Sequence, residues 1–204
     1  MNIKQKVLNK FEEFLHKNIE NITEEDMEVA LYGMEVIYSL VTKTLLFFII
    51  SIAFGWQMEF LTVSLLIAII RSTSFGFHAD KEVNCYIVSF ITIFGTIYIA
   101  KNYTFDILFV AAVCLISILV TILYAPADTE KRPLLDSRVR TILKLCSTIT
   151  TLFFSLIAII NVGFVSTAIV CILSVNALNI SPILYKIFKR RYRNYEYYEK
   201  ELGK

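Results

Sequence analysis

Long apolar runs divide this sequence, and they constrain its fold more than any other feature. Most of the runs hold about 18–22 residues, which is the length a helix needs to cross a hydrocarbon core of about 30 Å. Of the 204 residues, 56% are hydrophobic, whereas soluble domains average about 45–50%. The charged residues cluster between the runs. The sequence therefore predicts an all-α integral membrane protein whose solvent is the bilayer.

Six of these runs are predicted to span the membrane as helices. Their approximate bounds are 36–54, 60–70 with a continuation toward Ser74, 85–100, 105–124, 142–160 and 164–185. Thr23 is the expected N-cap of the helix that enters the first span, because its side-chain oxygen can accept a free backbone N–H. Gly55 and Trp56 are expected to end that helix, and a Trp is typical of the membrane interface.

The residues before the first span, 2–19, place apolar side chains at helical spacing and charged side chains on the other side. This pattern is typical of an amphipathic helix in the membrane interface. Packing of the helix against other helices of the protein explains the pattern equally well. A single membrane domain, 1–204, is predicted, with an amphipathic helix at 1–22, a transmembrane bundle at 36–185 and a basic cytoplasmic tail at 186–204.

The basic residues indicate an orientation. With both termini in the cytoplasm, the inner segments and the tail collect 18 of the 20 Lys and Arg residues, and Lys101 is the one that lies clearly outside. The positive-inside rule therefore favours an even number of spans, with the polar loops 71–84 and 126–140 in the cytoplasm. A cell-membrane protein with its chemistry on the cytoplasmic side is expected.

The first of these loops carries a histidine, His78, and a cysteine, Cys85, follows directly after it. A thiol becomes a strong nucleophile when a base takes its proton or when a nearby cation stabilises the thiolate. A helix that begins near Cys85 would favour the thiolate through its dipole. Asp80 or Glu82 is placed to orient the imidazole. The pair is therefore a candidate catalytic dyad.

The spacing of this pair imposes a geometric requirement. Seven residues along a straight helix would separate the two side chains by about 10 Å, too far for a hydrogen bond. A bend is needed, and Gly76 can provide it. On spacing alone, the two residues are more simply an ordinary loop histidine and a cysteine at a helix start. No metal or other cofactor is expected, because zinc usually needs three or four clustered ligands.

The second inner loop, residues 124–133, contains two prolines that favour stiff, non-helical backbone. It also carries Lys131 and Arg132. From these residues two interpretations remain open. The loop is either a rigid, solvated turn between spans or a segment that grips a peptide and completes the site.

The combination of these motifs resembles the accessory gene regulator B (AgrB) family, the membrane endopeptidases of Gram-positive peptide quorum sensing. The resemblance also covers the length, the amphipathic start, about six spans and the basic end of the chain. The combined pattern is far more specific than the His/Cys spacing. Its motifs are Arg71, Gly76-x-His78-Ala79, Cys85, Tyr124-Ala-Pro126, Lys131 and Pro133.

The resemblance implies a cysteine endopeptidase with Cys85 as nucleophile and His78 as general base. Its substrate would be a short amphipathic propeptide with a central cysteine and an acidic C-terminal tail. The enzyme would remove the tail and cyclise the remainder as a thiolactone through an acyl-enzyme thioester. The other predicted substrate-binding or supporting residues are Arg71, Gly76, Asp80, Pro126, Lys131, Arg132 and Pro133.

The expected partners are this propeptide, membrane lipids and, from the resemblance, a second copy of the chain in a homodimer. No nucleic acid partner is expected. The alternative function is a non-enzymatic small membrane transporter or scaffold. Transporters usually place ionisable groups or broken helices near the bilayer midplane, whereas the polar groups of this chain gather at one predicted face. This distribution favours surface chemistry over transport.

Overall fold

The computed structural model describes residues 3–19, 22–76, 82–129 and 133–201, and within these ranges it is helical apart from loops and one isolated bridge. Two compact units, Met1–Gln57 and Met58–Lys204, divide the chain. The single-domain assignment stays a prediction. The helices are α1 (Ile3–Asn18), α2 (Glu24–Phe54), α3 (Gln57–Ser74), α4 (Glu82–Asn102), α5 (Ile107–Tyr124), α6 (Ser137–Ile160), α7 (Phe164–Ile180), α8 (Pro182–Ile187) and α9 (Asn194–Glu201).

The first unit pairs the amphipathic helix α1 with the long helix α2. Lys4 forms a 2.6 Å salt bridge with Glu35, and Leu15 is buried. The helix therefore packs against its own neighbour, although Ile3 remains 70% exposed. Thr23 is the N-cap of α2 as predicted, and its Oγ1 accepts the Asp26 N–H at 3.1 Å.

Four of the described helices are long and apolar enough to cross a membrane: Asp26–Phe54, Val83–Asn102, Ile107–Tyr124 and Ser137–Ile160. The shorter apolar helix Phe164–Ile180 occupies the sixth predicted span, and α3 occupies the second. The prediction of an all-α membrane protein with about six spans is confirmed. At 17 residues, α7 is only about 25 Å long, somewhat less than a hydrocarbon core of about 30 Å.

The core of the second unit lies around α7. This helix packs against α4, α5 and α6, and 11 of its 17 residues are buried. A helix that is apolar on all sides is expected at the centre of a membrane bundle. Polar side chains on its last turns, Asn176 and Asn179, are also buried. Asn176 accepts a hydrogen bond from Ser74, and the backbone of Asn179 lies close to Gly76. Both asparagines are therefore near the carboxyl-terminal end of α3.

Hydrogen bonds between side chains link the buried faces of this unit. Ser74 Oγ donates to Asn176 Oδ1 at 2.9 Å, and Ser147 Oγ donates to Thr73 Oγ1 at 3.3 Å. Within a bilayer, lipid tails are as apolar as leucine, so packing of small residues and hydrogen bonds of this kind hold helices together. These contacts fix the end of α3 against α6 and α7, which is where the two predicted polar loops lie.

The opposite ends of α3 and α4 are also joined. Lys101, at the end of α4, forms an ion pair with Glu59 in the first turn of α3. The rings of Phe60 and Phe94 stack with centroids 6.3 Å apart. The two helices are therefore antiparallel, so the end of α3 and the start of α4 lie at the same end of the unit. Lys101, the basic residue that was predicted to lie outside, is thus paired with the carboxylate of Glu59.

The carboxyl-terminal part differs from its prediction in two ways. The predicted sixth span, 164–185, ends at Ile180, and a separate helix begins at Pro182. The cause is local, because proline lacks an N–H and forces an extended conformation on Ser181, whose φ is −74° and ψ is 152°. The tail after α8, predicted only as basic, forms α9.

Candidate active site

The chain turns sharply where α3 ends, immediately before the segment that carries His78. Phe75 has a φ of 55° and Gly76 a φ of 114°. An ideal Cβ on Gly76 would lie 3.0 Å from the backbone oxygen of Asn179. Only glycine combines this positive φ with such a close approach of another backbone. The helix therefore does not continue straight from Arg71 to Cys85, and the expected departure from helix is present at Gly76.

A short bridge joins this turn to the second polar loop. The Gly76 N–H donates to the Ala127 carbonyl oxygen at 2.9 Å, and the Ala127 N–H donates to the Ser74 carbonyl oxygen at 3.1 Å. The peptide bond between Ala125 and Pro126 is cis. We call residues 125–128 the Pro126 loop. The two loops that the sequence singled out independently are thus hydrogen-bonded to each other.

Cys85 lies in the first turn of α4, which begins at Glu82, and it is half-buried. The guanidinium of Arg71 is close enough to interact electrostatically with both Cys85 and Tyr185. A helix N-terminus and a nearby guanidinium are the electropositive surroundings in which reactive cysteines are typically found. Cys85 is one of four free thiols, and the other three, Cys114, Cys146 and Cys171, lie within α5, α6 and α7.

The structure brings together only some of the predicted site residues. Gly76 and the Pro126 loop are in contact, and Arg71 lies near Cys85. Pro133 lies in the irregular stretch that leads to α6. The other four predicted site residues lie outside the described residues, and their roles stay predictions: His78, Asp80, Lys131 and Arg132. Among the described residues, no group of three or more His, Cys, Asp and Glu is arranged to hold a metal ion.

The sequence did not predict a role for Asp128, the last residue of the Pro126 loop. Asp128 is 3% exposed. Its Oδ1 accepts the Asn194 N–H at 2.9 Å and its Oδ2 accepts the Tyr195 N–H at 2.8 Å, so one carboxylate caps the start of α9. The Tyr185 hydroxyl donates to the Asp128 carbonyl oxygen at 2.9 Å. The available sequence signal was an aspartate two residues after Pro126.

An aromatic cluster supports the same loop. The ring centroids of Tyr185 and Tyr192 are 5.3 Å apart, and those of Tyr124 and Tyr192 are 6.2 Å apart. Both pairs meet edge to face, the arrangement that aromatic quadrupoles favour. These rings pack against a buried cluster that includes Ala125 and Ala127. Burial raises the pKa of the Tyr192 phenol, which keeps this ring uncharged against the loop.

Arg140 ties α6 to α9. Its Nη1 donates to the Leu134 carbonyl oxygen at 2.7 Å, and its Nη2 lies 2.8 Å from Glu199 Oε1. The guanidinium carbon is also 4.1 Å from the centroid of the Tyr195 ring. A planar guanidinium can make these three contacts at once, whereas a lysine cannot. Arg140 therefore holds α9 against the start of α6.

Replacement of Arg140 by alanine is expected to loosen α9. Loss of a charged, partly buried set of contacts costs about 2 kcal/mol of local stability. Amide hydrogen exchange in 194–201, followed by mass spectrometry, is expected to accelerate about 10- to 100-fold. Arg138→Ala is the matched control, because Arg138 is on the same helix but is exposed. Equal exchange in both variants would contradict the assignment.

Comparison with known proteins shows which family this chain resembles. The family model described as accessory gene regulator B matches residues 8–184. An AgrB-like protein of Listeria welshimeri is 34% identical over 177 residues, covering 86% of this chain and 87% of the relative. An AgrB-like protein of Clostridium acetobutylicum is 30% identical over 171 residues, covering 83% and 82%.

Accessory gene regulator protein B of Staphylococcus aureus is 29% identical over 136 residues, covering 66% of this chain and 71% of that protein. No solved structure matches the chain. The family match spans both bridged loops and all the apolar helices of the second unit. The chain therefore belongs to the accessory gene regulator B family, which makes it a membrane protein with a role in accessory gene regulator quorum sensing.

Proposed function

We propose that this chain is a membrane cysteine endopeptidase that removes the acidic tail of a quorum-sensing propeptide and cyclises the remainder as a thiolactone. The observation that carries the proposal is the placement of Cys85. It lies in the first turn of α4, at the same end of the unit as the Gly76 turn and as Arg71, which is in the last turn of α3. A thiol in such an electropositive, partly exposed position is typical of reactive cysteines, whereas structural cysteines are buried among apolar groups.

The first chemical step is attack by the Cys85 thiolate on the scissile carbonyl carbon. His78 takes the thiol proton and returns it to the departing amine of the tail. The peptide C–N bond breaks, and a thioester joins the remaining peptide to Cys85 Sγ. His78 follows Gly76 by two residues in the sequence, so we expect the position of the base to depend on the turn at Gly76.

The second step exchanges one thioester for another. The thiolate of the propeptide's own cysteine attacks the acyl carbon, a thiolactone ring closes, and Cys85 leaves as a thiolate. The bonds formed and broken are alike, so the step is close to balanced in free energy. Its rate depends on holding the second thiol next to the acyl group and on keeping water away. A site at the edge of an apolar helix bundle meets both needs.

Charge supports the recognition of the acidic tail. Arg71 lies near the nucleophile, and Lys131 and Arg132 follow the Pro126 loop in the sequence. Cations at these positions attract a carboxylate-rich segment and orient it before cleavage. The distribution of Lys and Arg supports a cytoplasmic location for both termini and for this site. The amphipathic leader of the substrate binds the same membrane face.

A propeptide whose cysteine is replaced by alanine tests both steps at once. Tail release still proceeds, but the second thiol is missing, so the peptide is expected to remain on the enzyme as a thioester. The probe is a synthetic peptide with an amphipathic N-terminal helix, one central cysteine or alanine, and an acidic tail. Intact-protein mass spectrometry of the enzyme in vesicles is expected to show one adduct, mapped to Cys85 and removed by hydroxylamine.

The cysteine-containing propeptide is the control, and it is expected to leave little adduct because cyclisation releases it. Cys85→Ala enzyme is expected to show no adduct with either peptide. A transporter or scaffold would leave the peptide intact and unattached. Release of the tail without any adduct, or an adduct on a cysteine other than Cys85, would contradict the proposed mechanism.

A further inference from the structure

The carboxylate of Asp128 connects the carboxyl-terminal helix to the Pro126 loop. The two oxygens accept N–H groups of consecutive residues, Asn194 and Tyr195, at 2.9 and 2.8 Å. The side chain is 3% exposed, so water does not replace these bonds. Each N–H is bonded to a different carboxylate oxygen, and an asparagine would replace one of these oxygens with an NH₂ group that faces an N–H as a second donor. The carboxylate therefore fits this double contact better than an amide does.

The other contacts of Asp128 fix the backbone of the loop. Its carbonyl oxygen accepts the Tyr185 hydroxyl at 2.9 Å. Its neighbour Ala127 exchanges hydrogen bonds with Ser74 and Gly76 on either side of Phe75. Asp128 is thus held from α8 and α9, and the residue before it holds the turn at the end of α3. Hydrogen bonds on both sides of the peptide bond between Ala127 and Asp128 therefore connect α9 to Gly76.

The turn needs such support because its backbone is strained. Phe75 has a φ of 55°, a conformation that a residue with a bulky side chain rarely adopts. Strained backbone persists only when the surrounding contacts determine it. Two bridge hydrogen bonds hold this turn, and their partner Ala127 is itself in a loop. Without a firm attachment of that loop, the turn is free to relax.

We propose that Asp128 is a positioning residue of the site: by capping α9 it fixes the Pro126 loop, and through that loop the turn from which the chain continues toward His78. The inference deepens the proposed peptidase function and rests on it for its effect on turnover. Its structural part, the coupling of α9 to the reactivity of Cys85, is independent of what the substrate is.

The first test measures Cys85 without any substrate. Full-length protein in vesicles is treated with iodoacetamide across a pH series, and alkylation of the peptide that carries Cys85 is followed by mass spectrometry. In Asp128→Asn, alkylation at pH 7 is expected to fall about fivefold and its pH profile to differ from that of the wild type. Deletion of residues 194–204 is expected to have the same effect, since it removes both capped N–H groups.

The second test measures turnover with the synthetic cysteine-containing propeptide. A misplacement of about 1 Å costs about 100-fold in rate, so kcat in Asp128→Asn is expected to fall about 10- to 100-fold. KM is expected to change less than about threefold. The double variant, Asp128→Asn with 194–204 deleted, is expected to lose no more than either single variant, because both remove one interaction.

Asp106→Ala is the control, because it removes a helix cap elsewhere in the unit. Asp106 also caps a helix, accepting the Leu108 and Phe109 N–H groups at 3.0 Å, but it begins α5 near the other end of the unit. It is expected to leave the Cys85 pH profile unchanged. Rates are divided by the amount of folded protein, which is measured by thermal unfolding in detergent. If Asp128→Asn folds poorly, the deletion of residues 194–204 still tests the proposal.

The outcomes separate the two proposals. If wild type never releases a tail but Asp128→Asn still changes Cys85 alkylation, the peptidase assignment fails and the coupling of α9 to Cys85 stands. If wild type releases the tail while both Asp128→Asn and the deletion keep wild-type alkylation and kcat, the positioning role is overturned. An equal loss in Asp106→Ala overturns it as well, since the effect would then be one of general stability.

Discussion

Cells that co-express the propeptide with the Cys85→Ala or the His78→Ala variant are expected to release no acidic tail. Without the thiol, no acyl-enzyme forms. Without the imidazole, the thiol lacks its base, and the departing amine lacks a proton donor. Removal of a nucleophile or its base typically costs about 10³-fold or more, because the two groups act as a unit. Mass spectrometry of the released tail and of the cyclic product measures both losses.

Two residues of the same types provide the controls. Cys146→Ala removes another half-buried thiol of the second unit, and His16→Ala removes the other histidine of the chain. Both variants are expected to process the propeptide at the wild-type rate. Membrane levels of each variant are compared by immunoblot. If Cys85→Ala and His78→Ala still release the tail at the wild-type rate, the peptidase assignment is wrong.

Gly76→Ala is expected to reduce tail release by at least about 100-fold. The new methyl group would meet the Asn179 backbone oxygen at 3.0 Å, and the backbone would be strained at a φ of 114°. Both backbones are held in place, because Asn179 belongs to the central helix α7 and the Gly76 N–H is hydrogen-bonded to Ala127. The turn must shift, and a shift of about 1 Å at a catalytic site costs about 100-fold.

Two further glycines separate the possible causes of such a loss. Gly95 is helical and has no atom within 4 Å of an added Cβ, so Gly95→Ala tests the methyl group alone. Gly163 has a φ of 80° and equally open surroundings, so Gly163→Ala adds strain without a collision. Both are expected to retain most activity. A loss in Gly163→Ala as large as that in Gly76→Ala would show that strain anywhere in the unit suffices.

Apolar periodicity made most of the helices predictable. A bilayer requires every spanning segment to satisfy its own backbone, so a run of apolar residues has few alternatives to a helix. Local signals located several ends as well. Thr23 caps α2, and Gly55 follows its last residue with a φ of 68°. The break at Pro182 was missed because hydrophobicity continues across it, although the proline itself is a helix-breaking signal.

The site was predictable only where its residues are close in sequence. Gly76 and Cys85 were identified from one segment, and their position at one end of the second unit follows from the helix hairpin of α3 and α4. The bridge to Ala127 and the carboxylate contacts of Asp128 join residues that are far apart in the chain. No periodicity reports such pairings. The short helix α9 is polar, and its position depends on Asp128 and Arg140 rather than on an apolar face.

The cap on α9 also relates the site to the order of protein synthesis. The N–H groups that Asp128 accepts belong to residues 66 and 67 positions later in the chain. At about 5–20 residues per second, a ribosome needs several seconds to add them after Asp128. During that interval the helices before α6 can already be inserted while the Pro126 loop lacks its attachment. The nucleophile is therefore expected to become fully competent only after translation has passed residue 195, when the bundle around it is complete.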